Sequence, residues 1–125
     1  MNRDELCPVR ESLDFFNRKW VLCILMDMFG GCKHFTDFQQ ANSDLSNSVL
    51  SQTLKYMEDV GLIEKLEIDL KTRNKTEYKL TEKGLNANRI LFELTRFSLE
   101  ELESSKLDES MKNRMLIEYS DFLNI

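Results

Sequence analysis

Apolar residues along this chain recur mostly at helical spacing, and in one short region they switch to strict alternation. Lys19 to Phe29 is apolar on nearly every side, which places that helix in the centre of a small core. Arg10 to Phe16 reads as a shorter helix before it, and Gly30-Gly31 stops it. Thr36-Asp37-Phe38-Gln39 has capping-box spacing: Thr36 accepts from the amide three residues on, Gln39 reaches back, and Phe35 staples a short helix running to about Ala41. Asn42-Ser43-Asp44 is turn chemistry, and Ser46 stands as an N-cap before a helix over Asn47 to Val60 that ends at Gly61. In that helix Leu50, Leu54 and Met57 form the inward stripe, which leaves Asn47, Ser48, Ser51, Gln52 and Lys55 facing out. Acid first appears there at Glu58 and Asp59.

Leu66 to Leu70 and Thr76 to Leu80 alternate with period two around the basic stretch Lys71 to Lys75, the pattern of a hairpin with a basic tip. Thr81 then caps a long helix carrying Ile90, Leu91, Leu94, Phe97 and Leu102 on one side. A last helix with Met111, Met115, Tyr119 and Phe122 closes the chain. The predicted fold class is mainly α with a small antiparallel β-hairpin, in the order helices, helix-turn-helix, hairpin, helices.

Composition narrows this further. With 125 residues, 42% apolar and 31% charged, the chain suits one folded domain over 1–125, and no composition break marks a second. The longest apolar run, Trp20 to Met26, is far short of the roughly 20 residues that span a bilayer, and no basic segment precedes an apolar one at the N-terminus. No membrane partner is expected, and the cytoplasm is the default location. Cys7, Cys23 and Cys32 cannot all pair within one chain, and no CxxC spacing exists. Cys23 reads as core. Cys7, Cys32 and His34 match no established ligand spacing, so no metal or other cofactor is expected, and His34 reads as a surface or phosphate-contacting residue. Without a glycine-rich phosphate loop or a Ser/His/acid constellation, no catalytic residues are assigned and the chain does not read as an enzyme.

The net charge is −5, which at first argues against a polyanionic partner. Its distribution changes that. Residues 100–125 hold seven acids and three bases, so residues 1–99 carry only −1. Between Lys71 and Lys83 five bases face two acids. A helix-turn-helix followed by a hairpin is the winged-helix arrangement, in which the second helix enters the DNA major groove and the hairpin reaches backbone or minor groove. Asn47, Ser48, Ser51 and Gln52 are short and polar enough to meet base edges; Lys55, Lys71, Arg73 and Lys75 are candidates for backbone or minor-groove contact. On period and charge alone the same residues read equally as solvated faces. A winged-helix module that binds protein instead of DNA is the alternative.

Several stretches taken in order carry more. Cys7-Pro8-Val9-Arg10, Lys19-Trp20, Lys33-His34-Phe35, Leu45 to Leu54, Glu58 to Ile63 and Glu77 to Gly84 together resemble the HxlR family of prokaryotic winged-helix transcriptional regulators, over residues 7–102. The resemblance implies a homodimer that binds double-stranded operator DNA through the second helix and the wing. It implies a dimer interface built by N- and C-terminal helices, the latter over 103–125. It also implies that Cys7 is a redox-sensor candidate, with Arg3, Arg10 and the following helix as features that lower a thiol pKa; a packed, inert thiol is the competing reading. Ser48 stands where the family is often basic, Lys33-His34 where Lys-Arg is common, and Cys32 where Pro is frequent. Phosphate contact is therefore expected to be weak and to lean on the wing, Lys55, Arg18-Lys19 and dimerisation, with a modest salt dependence. No small-molecule effector is assigned.

Overall fold

The computed structural model describes residues 7–70 and 73–125, with backbone alone for 68–70 and 73–75. Helices α1 (Pro8–Phe15), α2 (Val21–Phe29), α3 (Phe35–Ala41) and α4 (Asn47–Asp59) precede an antiparallel hairpin of β1 (Ile63–Leu70) and β2 (Arg73–Leu80). Then come α5 (Glu82–Leu85), α6 (Asn88–Glu101), a 3-10 turn (Glu103–Lys106) and α7 (Glu109–Phe122). The helix-turn-helix and its wing are α3, α4 and the hairpin. This is the expected class, mainly helical with a two-stranded sheet.

The core gathers Val21, Ile24 and Leu25 of α2, Phe38 of α3, Leu50, Leu54 and Met57 of α4, and Leu62 and Ile63 at the start of the hairpin. Each of these large side chains contributes roughly 1.5–3 kcal/mol by leaving water, and together they fix the three central helices. Helix α2 is apolar all round but not buried all round. Cys23, expected in the core, is exposed.

The connection between α2 and α4 is held by polar groups. Asn42, at the end of α3, donates through one amide nitrogen to Asp27 of α2 (2.7 Å) and to the Phe38 carbonyl (3.0 Å). Burial pushes the Asp27 carboxyl upward, and the Asn42 bond partly opposes that. The cap of α3 differs from the expected Thr36/Gln39 pair. Its N-cap is His34, Phe35 is already helical, and Asp37 reaches back to accept from the backbone amides of Lys33 (3.0 Å) and His34 (2.9 Å). A carboxylate outcompetes a neutral amide for orphan donors at a positive helix end, and those two bonds hold Asp37 below the usual carboxylate range.

The hairpin is longer than its alternating pattern. Pairing runs from Ile63↔Leu80 to Leu70↔Arg73, so Arg73 and Lys75 are strand residues, not loop residues. Lys71 lies outside the described residues. Leu62 and Ile63 are both buried, which breaks the period of two and hides where β1 begins.

Thr81 does cap a helix, but it is the four-residue α5, and the long helix begins afresh at Asn88. The Thr81 hydroxyl accepts from Gly84 N (3.1 Å), and its oxygen lies 3.0 Å from the Leu62 carbonyl, to which Thr81 N also donates (3.1 Å). This seals α5 onto the end of α4. On α6, Leu91 is buried, whereas Ile90, Leu94 and Phe97 are exposed on another face, so the expected single stripe is two. Leu102 ends the helix and is exposed.

Of the four glycines Gly84 makes the closest approach, because a Cβ there would lie 2.2 Å from the Leu62 carbonyl oxygen, a backbone atom that cannot swing away. Gly84→Ala is expected to cost about 1–3 kcal/mol, read as a lowered urea midpoint with an unchanged slope.

Candidate nucleic-acid interface

The geometry of α4 follows from its sequence. Ser46 caps it, its hydroxyl accepting from Val49 N at 3.1 Å, and Gly61 terminates it at φ +83°, a conformation that a side chain would strain. Leu50, Thr53, Leu54 and Met57 are buried, and Thr53 satisfies its hydroxyl by donating to the Val49 carbonyl (2.7 Å). With that face inward, Ser48, Ser51, Gln52 and Lys55 share the opposite, exposed face, with Asn47 at its leading edge. The structure therefore brings together the five helical residues predicted from sequence.

Three attachments hold the helix from outside the core. The Tyr56 hydroxyl donates to the Phe15 carbonyl at the end of α1 (2.6 Å). Arg18 lies over the Tyr56 ring at 4.4 Å, which places one of the predicted cations against the α4 flank. Lys83 Nζ donates to the Val60 carbonyl at the end of α4 (2.9 Å) and lies 4.6 Å from the Phe15 ring. Lys19 instead lies over Trp20.

The hairpin is tied to the start of α3. Tyr78 N donates to the Lys33 carbonyl (2.8 Å), and His34 Nδ1 is 3.0 Å from the Thr76 carbonyl. His34, expected as a surface or phosphate-contacting residue, is half-buried as a strut between α3 and β2. Its Nε2 is 3.8 Å from a Glu77 oxygen, which Lys33 also approaches at 3.9 Å.

Electrostatics along the exposed face are sparse. Lys55 pairs with Asp59 (3.1 Å) and Glu58 (3.9 Å), and the Asp59 bond raises its pKa. A groove of about 260 Å³ separates α4 from the base of the hairpin, lined by Phe35, Ser51, Lys55, Glu58, Lys65 and Tyr78. Lys65 thus joins Ser51 and Lys55. It was missed because the alternating pattern begins one residue later. Gln39 was missed as well: its Nε2 donates to Asn47 Oδ1, linking the two helices of the motif.

Cys7 is the half-buried N-cap residue of α1, with Pro8 next to it and its carbonyl accepting from Glu11 N (2.9 Å). Cys32 is also half-buried; burial pushes its thiol up, and Asp27 and Asp37 add to this. Among the described residues no cluster of His, Cys, Asp or Glu could hold a metal ion, and no helix is long and apolar enough to cross a membrane.

Comparison with known proteins agrees with this geometry. The chain is 33% identical over 109 residues to the uncharacterised HTH-type transcriptional regulator YvaP of Bacillus subtilis strain 168, covering 86% of this chain and all of that one. Among solved structures, PA1607, a transcription factor candidate, shares the fold with a TM-score of 0.73 at 22% identity, over 86% of this chain and 73% of that one. The redox regulator HypR in its reduced form superposes with a TM-score of 0.69 at 25% identity, over 74% of this chain and 91% of that one. A family model for the HxlR-like helix-turn-helix matches residues 15–106, which takes in the helix-turn-helix, the wing and α6, and the chain belongs to that family of winged-helix transcriptional regulators.

Proposed function

We propose that this chain is a sequence-specific DNA-binding regulator that acts as a cytoplasmic homodimer on a near-palindromic operator. The observation that carries the reading is the exposed face of α4. From Asn47 to Lys55 it holds Asn47, Ser48, Ser51, Gln52 and Lys55 and no acid, with Val49 exposed at its edge, while the opposite face is locked into the core. Such a face can approach base edges closely, and Gln52 and Asn47 carry amides that can both donate and accept there. In this reading Asn47, Ser48, Ser51 and Gln52 read bases. Lys55, Lys71, Arg73 and Lys75 contact backbone or minor groove, and Lys65 and Arg18 add charge beside them.

Two copies are needed for affinity, because one α4 face offers a single lysine already bonded to Asp59. A surface for the second copy is available. Val9 and Leu13 of α1 are 68% and 67% exposed, and Leu94 and Phe97 of α6 are 51% and 57% exposed. With Phe16, Leu22 and Ile90, the first three of these line an apolar groove of about 380 Å³. Exposed apolar side chains grouped on two neighbouring helices in this way fit an interaction site. A two-fold pair would set its recognition helices about 34 Å apart, one turn of DNA.

Cys7 opens α1, the helix that borders this groove, and HypR is described as a redox regulator. In the proposed switch two Cys7 thiols, one from each subunit, lose two electrons and two protons to an oxidant such as diamide. A disulfide forms and the diamide becomes its hydrazine.

In gel shifts with the upstream region of the chain's own gene across a salt series, Gln52→Ala is expected to weaken specific binding about tenfold and leave nonspecific binding unchanged. Arg73→Ala should weaken all sequences and flatten the salt slope by about one unit. Absence of a shift at low salt would instead favour a protein-binding module, the reading suggested by the net charge of −5.

Leu94→Asp is expected to convert the dimer to a monomer in sedimentation equilibrium, while the helical circular dichroism is retained. A wild-type chain that sediments as a monomer would remove the two-fold operator from the proposal.

Diamide is expected to produce a dimer band on non-reducing gels and to change operator binding, both abolished by Cys7→Ser. Unchanged mobility and binding after oxidation would leave Cys7 as a packing residue.

A further inference from the structure

We infer that Val49 is a further base-reading residue of α4, one that recognises the 5-methyl group of a thymine in the major groove. The inference rests on the proposed reading in which the exposed face of α4 meets base edges, and it adds a contact that hydrogen bonding cannot supply.

Of the apolar side chains of α4, Leu50, Leu54 and Met57 are buried, and Tyr56 is half-buried and bonded to the Phe15 carbonyl. Val49 alone is exposed, at 39%. Gln52 lies three residues on, the spacing at which helical side chains are neighbours, about 5–6 Å between Cβ atoms. Ser51 and Lys55 border the groove beside the hairpin, and helical geometry puts Val49 beyond Gln52 on the side away from that groove.

The backbone sets the direction of this side chain. Val49 N donates to the Ser46 hydroxyl of the cap (3.1 Å), and the Val49 carbonyl accepts from the buried Thr53 hydroxyl (2.7 Å). Its Cα–Cβ bond is thereby tied to the cap and to the core at once. A valine in a helix takes one χ1 rotamer in about 90% of cases, so its two methyl groups point one way without help from a partner. An apolar group also has no donor or acceptor end to be turned.

Thymine alone among the four bases offers an apolar group on its major-groove edge, the C5 methyl. Ser48, Ser51 and Gln52 match donors and acceptors, whereas Val49 matches that methyl, and the contact removes apolar area from water on both sides. Successive base pairs are about 3.4 Å apart, which puts the thymine within two base pairs of the one that Gln52 meets. The contact turns on one carbon atom. That atom can be taken from the DNA without altering any hydrogen-bonding group, because uracil is thymine without the methyl.

The test is to select a sequence from randomised duplex DNA with the wild-type chain, then to replace its thymines one at a time by deoxyuridine and measure affinity for the wild type and Val49→Ala. For the wild type, one thymine in each half-site is expected to lose about threefold when its methyl is removed. That thymine should lie within two base pairs of the position that Gln52→Ala relaxes. Val49→Ala should bind the thymine and uracil duplexes less than about 1.5-fold apart at that position, with the salt slope kept. The ratio is taken within each protein, so a general change in affinity cancels. If the wild type selects a sequence but no thymine behaves in this way, or if the methyl effect persists in Val49→Ala, the inference is overturned while the DNA-binding reading stands. If the wild type selects no sequence, both fall together.

Discussion

The structure depends on four side chains along one edge of one helix. Leu50, Thr53, Leu54 and Met57 are the buried residues of α4. The helix itself has little intrinsic stability: its 13 residues include Asn, Ser and Thr, which compete with helical hydrogen bonds. Packing against α2 and the start of the hairpin therefore decides both whether α4 forms and how it is rotated. Rotation is what positions the polar face, since a turn of one residue, about 100°, would carry Ser51, Lys55 and Glu58 into positions that Leu50, Leu54 and Met57 now fill. The Thr53 hydroxyl, returned to the Val49 carbonyl, lets a polar residue sit in that stripe without an unmet hydrogen bond.

Around this helix the chain uses polar links where a domain of this size has no more core to give. Asn42 to Asp27, His34 to the Thr76 carbonyl, Tyr56 to the Phe15 carbonyl and Lys83 to the Val60 carbonyl each join two elements far apart in sequence. Each is worth only about a kilocalorie per mole net. Their value is geometric, because they fix the position of α3, the wing and α1 relative to one helix. The apolar faces of α1 and α6 are a different case. They are left over after the core is complete, and they are the faces to which the proposal assigns a second copy.

Where sequence pattern and packing agreed, the architecture was legible. The span of α4, its Ser46 cap, its Gly61 stop and its inward stripe follow from spacing alone, and so do the polar turn and the existence of a hairpin. The misreadings share a cause: local rules that offer more than one solution. Two competing caps fit the start of α3, and the charged Asp37 won over Thr36 with Gln39. Thr81 signalled a helix correctly, but that helix is one turn long and a separate one begins at Asn88. Cys23 looked buried because apolar residues surround it in sequence, whereas exposure depends on which side of α2 has a neighbour. Of the candidate interface, the five α4 residues were legible because one helix face is a matter of period. Lys65 and the Gln39 bond to Asn47 were not, since both depend on how separate elements lie against each other.

The pairing of Lys55 with Asp59 gives α4 a resident anion. An oxyanion arriving at that lysine meets a carboxylate already beside it, whose charge offsets part of the attraction. On the proposed DNA-binding reading, Asp59 lowers the attraction of Lys55 for polyanions and leaves more of the recognition to the uncharged amides and hydroxyls beside it.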